Sequence, residues 1–140
     1  MDRRKFIKTS CSLCAAMAAG FSVSTFSSCT PLPLYKTVIA ENKISVPLTL
    51  FGTGDFMLIR PQDYEFDIAA RKLANGSYEA LLLRCTHEDN QLISTGNGFV
   101  CNLHGSRFDS EGTVIKGPAV RPLQKFSTEI ISDALIIYLT

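Results

Sequence analysis

Two short cysteine–histidine pairs set the tightest limit on what this chain can fold into. They read Cys85-Thr86-His87 and Cys101-Asn102-Leu103-His104, with fifteen residues between the cysteines. After Cys29 the sequence has no other cysteine, and His87 and His104 are its only histidines. Thiolate and imidazole are both strong metal ligands, and a shared site requires its ligands within bonding distance of one point. Each pair follows a strand-like segment and enters a loop rich in Gly or polar residues. Rigid strands would hold the bases of two such loops while the loops project their side chains toward each other.

The residues around the pairs read as short strands separated by turns. Tyr64-Glu65-Phe66-Asp67-Ile68 alternates apolar and polar residues and predicts a half-buried strand. Asn75-Gly76 offers two residues that accept φ > 0, which predicts a tight hairpin into a return strand over residues 78–83. Residues 91–94 predict another strand, Gly96-Asn97-Gly98 a turn, and Phe99-Val100 the strand leading into Cys101. Glu111-Gly112 predicts a further turn before Thr113-Val114-Ile115. Residues 125–131 and 134–139 predict a closing hairpin around Ser132-Asp133. No stretch after residue 34 keeps a helical period over a dozen residues. The expected fold class is all-β, a small antiparallel sandwich or barrel with the Cys/His loops at one end.

At 140 residues the chain is the size of one domain, too short for a doubly wound fold with a separate substrate domain. With 46% apolar and 19% charged residues it is not a disordered chain. The net charge of +1 supplies no basic surface, so no nucleic-acid partner is expected. That charge is uneven: residues 1–28 hold four basic residues and one acid, leaving 10 basic and 12 acidic residues for the rest. Met1-Asp2-Arg3-Arg4-Lys5-Phe6-Ile7-Lys8 followed by an uncharged stretch of small and apolar residues predicts a signal peptide over residues 1–28. Its Arg3-Arg4-x-Phe6-Ile7-Lys8 string resembles a twin-arginine export signal. Phe26-Ser27-Ser28-Cys29 resembles a lipobox, which makes Cys29 the expected lipidated residue. It departs from the usual pattern at Phe26 and Ser28. A lipid there would hold the domain at a membrane surface without spanning it. Cys11 and Cys14 fall inside the apolar stretch and read as leader residues. Pro31 and Pro33 stiffen residues 29–35 into an expected tether, and residues 36–140 form the expected domain.

Three readings of the Cys/His pairs are open from the residues alone. The cysteines are buried small hydrophobes unrelated to the histidines, or the four side chains bind structural zinc, or they share an iron–sulfur centre. A zinc finger groups its cysteines together and its histidines together, whereas each half here carries one of each. The pattern resembles the Rieske [2Fe–2S] family, with its paired C-x-H and C-x-x-H-G boxes. The likeness continues through Gly105-Ser106-x-Phe108-Asp109 and the Gly117-Pro118-Ala119 loop, and it covers roughly residues 36–140. It implies a [2Fe–2S] cluster with Cys85 and Cys101 on the inner iron and His87 and His104 on the outer one. Neutral imidazoles in place of two thiolates make such a cluster easier to reduce. Rieske potentials span about −150 to +300 mV, against about −400 mV for plant-type ferredoxins. The resemblance also implies a potential that falls as pH rises, through the imidazole N–H groups.

The resemblance is incomplete at informative places. Rieske proteins of quinol–cytochrome c reductases join their two loops by a disulfide, whose positions here are Asn90 and Leu103. Ser106 stands where those proteins have a serine donating to sulfur, and Phe108 where they have a tyrosine. Gly105, Gly117 and Pro118 would let a loop pass close to the cluster. Glu88 and Asp89 form either an acidic rim or a solvated loop, and Arg84 and Arg107 are equally ambiguous. The implied function is one-electron transfer outside the cytoplasmic membrane by a carrier tethered through lipid or leader. It would act alone or as a small subunit of an oxidoreductase. Its redox partner would be a cytochrome, a molybdenum-enzyme subunit or a quinol-oxidising subunit. The alternatives are a ferredoxin component of a ring-hydroxylating oxygenase and a non-redox zinc-stabilised domain. With no tyrosine hydroxyl at Phe108, the midpoint is expected between the ferredoxin-like and quinol-oxidising groups. Voltammetry of the loaded protein measures it, and a value at the top of the Rieske range contradicts this reading.

Overall fold

The computed structural model describes residues 32–140. The predicted leader, Cys11, Cys14, Cys29 with its predicted lipid, and Pro31 lie outside the described residues. Eleven strands among the described residues form two sheets. The larger holds β1 (Leu34–Thr37), β2 (Lys43–Pro47), β3 (Phe56–Pro61), β4 (Ile68–Lys72), β5 (Tyr78–Leu82), β10 (Lys125–Ile131) and β11 (Ala134–Tyr138). Its order is β1-β3-β4-β5-β10-β11-β2. The smaller holds β6 (Ile93–Ser94), β7 (Gly98–Val100), β8 (Arg107–Asp109) and β9 (Val114–Lys116), in that order. No helix among the described residues is long and apolar enough to cross a membrane.

β10 joins the two halves of the larger sheet because its two ends have different partners. Lys125 and Phe126 pair with β5, and residues 127–131 pair with β11. Alternation in β2 buries Ile44 and Val46, and in β11 it buries Leu135 and Ile137. These side chains share one apolar cluster with Met57, Ile59, Ile68, Ala70, Ala80 and Leu82. The opposite faces of β4 and β5 are buried as well. Ala69 and Leu81 join Leu83, Leu92, Phe99, Phe108, Ala119 and Leu123 in a second cluster that also contains Cys85 and Cys101. Burying a side chain of the size of Leu or Phe is worth about 1.5–3 kcal/mol, so this second cluster fixes the smaller sheet to the back of β4 and β5. Alanine at positions 69, 70 and 80 leaves room for packing from both sides.

The predicted all-β class is the one observed, with three local differences. β1 runs parallel to β3, Leu34 opposite Leu58 and Thr37 opposite Pro61. A parallel pair needs a crossover connection, and the chain makes it by visiting the far edge of the sheet as β2. β1 also takes up Leu34 and Tyr35, the last residues assigned to the tether. The strand expected over Tyr64–Ile68 begins only at Ile68. Alternation misleads there because Asp67 is not on a solvent face. It is buried, its carboxylate receives Arg60 Nε and Nη2 at 2.8 and 2.7 Å, and its N–H donates to Gln91 Oε1 at 2.9 Å. The hairpin at Asn75-Gly76 forms, but only Gly76 has positive φ, at 85°. Gly76 N–H donates to Leu73 C=O and Leu73 N–H to Ser77 C=O, so the loop has three residues rather than two.

The two clusters give separate stability tests. Leu135→Ala removes a fully buried side chain from the first cluster and is expected to cost about 2–5 kcal/mol. Gly98 lies in β7 opposite Asp109, and a Cβ there would overlap the Phe108 carbonyl oxygen of β8. Gly98→Ala is therefore expected to cost about 1–3 kcal/mol by overpacking. Thermal unfolding of both variants measures these losses. An unchanged melting temperature for Gly98→Ala would show that β7 and β8 separate freely.

Candidate metal centre

Each cysteine sits at the base of a closed loop, and each histidine sits toward its tip. The first loop leaves β5 through buried Leu83. Leu92 N–H returns to Leu83 C=O and Cys85 N–H donates to Asn90 C=O, both at 2.9 Å. Gln91 Oε1, on the N–H of Asp67, fastens this base to the start of β4. The second loop leaves β7. Cys101 N–H donates to Ser106 C=O at 2.8 Å and Gly105 N–H to Cys101 C=O at 3.0 Å, with Gly105 at φ 78°. Backbone pairing thus holds the main chain at both cysteines.

The thiols and imidazoles occupy different surroundings. Cys85 and Cys101 are each 1% exposed and form no disulfide. His87 and His104 are exposed, with ring centroids 5.1 Å apart and planes at 85°. Glu88 Oε2 lies 3.9 Å from His104 Nδ1. Ligand atoms of His87, Glu88 and His104 all lie within 4.8 Å of one another. The glutamate that sequence left ambiguous therefore belongs to the tip of the site. Asp89 instead pairs with Arg84 on the open surface. Burial works to raise the pKa of the Cys101 thiol. Hydrogen bonds from the Leu103 backbone, the Cys85 thiol, the Asn90 amide and the His104 backbone outweigh it, and the net shift is downward. A thiol held in this way is prepared to act as thiolate, the form that ligates metal.

A third loop, residues 117–124, closes the site from the side. Thr86 Oγ1 donates to Arg121 C=O at 2.6 Å and so links the first loop to the third. Ser106 Oγ accepts the buried N–H of Ala119 at 3.0 Å and links the second loop to the third. Asn90 Nδ2 donates to Asn102 Oδ1 at 3.1 Å and links the first loop to the second. Of the other residues singled out from sequence, Phe108 is buried beside the cysteines without a hydroxyl. Ser106 is fully buried, and its Oγ accepts the N–H of Ala119, which leaves its own O–H as a donor. Gly117 and Pro118 are exposed, and a Cβ at Gly117 would meet nothing closer than 3.8 Å. Leu103 is 54% exposed at the rim. Sequence reasoning missed the linking roles of Thr86, Asn90, Asn102 and Gln91. Their signal is the density of short amide and hydroxyl side chains in the loops, which reads equally well as ordinary turn chemistry.

The donor set fits an iron–sulfur group with mixed ligation. Two unoxidised thiols share a dry pocket supplied with N–H donors, and two imidazoles stand together at the wet edge. Residues 38–127 match the family model of the Rieske [2Fe-2S] domain. Among curated proteins, the cytochrome b6-f complex iron-sulfur subunit of Prochlorococcus marinus (strain AS9601) is 39% identical over 44 residues, 31% of this chain. The match spans a quarter (25%) of that relative's length. Among solved structures, the cyanobacterial plasma membrane Rieske protein from Synechocystis PCC 6803 aligns with a TM-score of 0.55 at 23% identity, covering 67% of this chain and 97% of that one. A chain from the complex of reduced oxygenase and oxidized ferredoxin in carbazole 1,9a-dioxygenase aligns with a TM-score of 0.52 at 17% identity, covering 71% and 95%. At these identities the structural matches speak for the fold, and the family model speaks for the lineage. The chain belongs to the Rieske [2Fe-2S] domain family, whose cofactor is a Rieske-type [2Fe-2S] cluster.

Proposed function

We propose that the chain is a one-electron carrier in which Cys85 and Cys101 hold one iron through sulfur and His87 and His104 hold the other through ring nitrogen. The observation that carries this reading is the split between buried thiols and paired, exposed imidazoles on two loops tied to each other. When bound, the cluster would supply one-electron redox chemistry, between a donor oxidised by one electron and an acceptor reduced by one. The chain's own residues orient and shield. The apolar cluster around Cys85 and Cys101 excludes water from the sulfur side, and the exposed histidine edge faces the partner.

The leader extends the proposal to location. A twin-arginine-like signal suits a domain that receives its cluster and folds before export. A lipid on Cys29 would then hold residues 36–140 at a membrane surface on the extracytoplasmic side. A redox partner there would be a cytochrome or an oxidoreductase subunit of the molybdenum-enzyme or quinol-oxidising kind. The second reading is a ferredoxin feeding a ring-hydroxylating oxygenase. It is favoured by the residues at the loop-linking positions, Asn90 and Leu103, which cannot form a disulfide.

Anaerobic reconstitution of the protein with iron and sulfide tests the ligand assignment. The reduced protein is expected to be coloured and to give a rhombic electron paramagnetic resonance signal. Cys85→Ser and Cys101→Ser are expected to abolish that signal. A wild-type protein that stays colourless and binds zinc instead overturns the reading. Location has its own test in the native host: Cys29→Ala is expected to move the protein from the membrane fraction to the soluble one. Recovery of the wild-type protein from the cytosol would favour the ferredoxin reading.

A further inference from the structure

Asn90 makes more contacts than a turn residue needs. Its backbone carbonyl accepts the N–H of Cys85 at 2.9 Å. Its side-chain Nδ2 donates to Gln91 C=O at 3.2 Å, to Asn102 Oδ1 at 3.1 Å and to Cys101 Sγ at 3.6 Å. One residue thus touches both cysteines and crosses from the first loop to the second. Turn formation accounts for the backbone bond and for the contact with Gln91. It does not account for an amide aimed at a different hairpin and at the sulfur it carries.

We propose that Asn90 is a positioning residue with two separable roles: it ties the two ligand loops together through Asn102, and it donates to the Cys101 sulfur to hold the midpoint potential up. The proposal rests on the ligand assignment made above. Reduction adds negative charge that is shared with the ligating sulfurs. An N–H donor stabilises the more negative state more strongly and so raises the potential. The tie works differently. It replaces a covalent link with one hydrogen bond between exposed amides, so it governs how easily the loops part and leaves the charge on sulfur unchanged.

Two substitutions separate the roles. Asn90→Ala removes both contacts and keeps the backbone carbonyl that holds Cys85. Asn102→Ala removes the tie alone. The reduced-to-oxidised ratio at fixed potential is expected to fall about threefold to tenfold in Asn90→Ala, a drop of about 28–59 mV for one electron. Asn102→Ala is expected to keep the wild-type midpoint. Both variants are expected to lose iron to a chelator several-fold faster than wild type. An unchanged midpoint in Asn90→Ala overturns the sulfur contact. An equal drop in Asn102→Ala overturns the separation of roles, and wild-type iron loss in both variants overturns the tie. The sulfur contact can also be read without substitution. Protein labelled with ¹⁵N in its asparagine side chains is expected to show a weak ¹⁵N coupling to the reduced cluster by pulsed electron paramagnetic resonance, and its absence is fatal to the contact. If the wild type takes up no cluster, the ligand assignment itself fails and the Asn90 proposal fails with it. A loaded wild type with an unresponsive Asn90→Ala removes only the proposal made here.

Discussion

Two sulfur atoms from different hairpins have to face each other inside an apolar core, and most of the molecule is arranged to allow it. Cys85 follows β5 of the large sheet and Cys101 follows β7 of the small one. Their separation therefore depends on how the two sheets are set against each other. That setting comes from the second apolar cluster, where Leu81, Leu83, Phe99, Phe108 and Leu123 pack around the cysteines. Interiors pack as densely as organic crystals, so a change of one methylene in this layer would be transmitted to the sulfurs. The thiols are thus part of the packing that positions them.

The large sheet matters to the site through β4 and β5. Toward the site both strands are buried on both faces, with Ile68, Ala70, Ala80 and Leu82 on one side and Ala69 and Leu81, joined by Leu83 just past β5, on the other. The first cluster makes these two strands a rigid floor. Asp67 extends that floor to the ligand loop, because its carboxylate is clamped by Arg60 while its N–H is held by Gln91. A buried carboxylate with a bidentate guanidinium partner is costly to break from one side. The base of the first loop is therefore anchored by polar bonds as well as by packing.

The parts that could be read from the residues are those with a local signature. The two Cys/His pairs name themselves because only cysteine offers a thiolate and only histidine an imidazole. The closing hairpin at Ser132-Asp133 is legible because two strand-like segments, residues 125–131 and 134–139, flank a two-residue turn. The strand expected from Tyr64 starts only at Ile68, because alternation assumes that the polar positions face water, and Asp67 is buried. The parallel pairing of β1 with β3 has no local signature at all, since it depends on the path taken through β2. The links at the site were invisible for a related reason. Asn90 and Asn102 lie twelve residues apart on separate hairpins, and nothing in either loop alone states that their side chains meet.

The three links among the loops explain how a centre built on loops can be as well defined as one built on strands. Loops are ordinarily the mobile part of a fold. Here the first is joined to the third by Thr86 and Arg121, the second to the third by Ser106 and Ala119, and the first to the second by Asn90 and Asn102. Each bond contributes only about 0.5–1.5 kcal/mol net. Arranged in a triangle they constrain one another, because moving any loop strains two contacts at once. The Ser106 link is the strongest constraint of the three, since breaking it would strand a buried N–H. The arrangement suits the electron carrier proposed above. The tied loops would hold Cys85, Cys101, His87 and His104 in place around a cluster supplying one-electron chemistry, and the exposed imidazole edge would meet a partner without opening the apolar surroundings of the thiols.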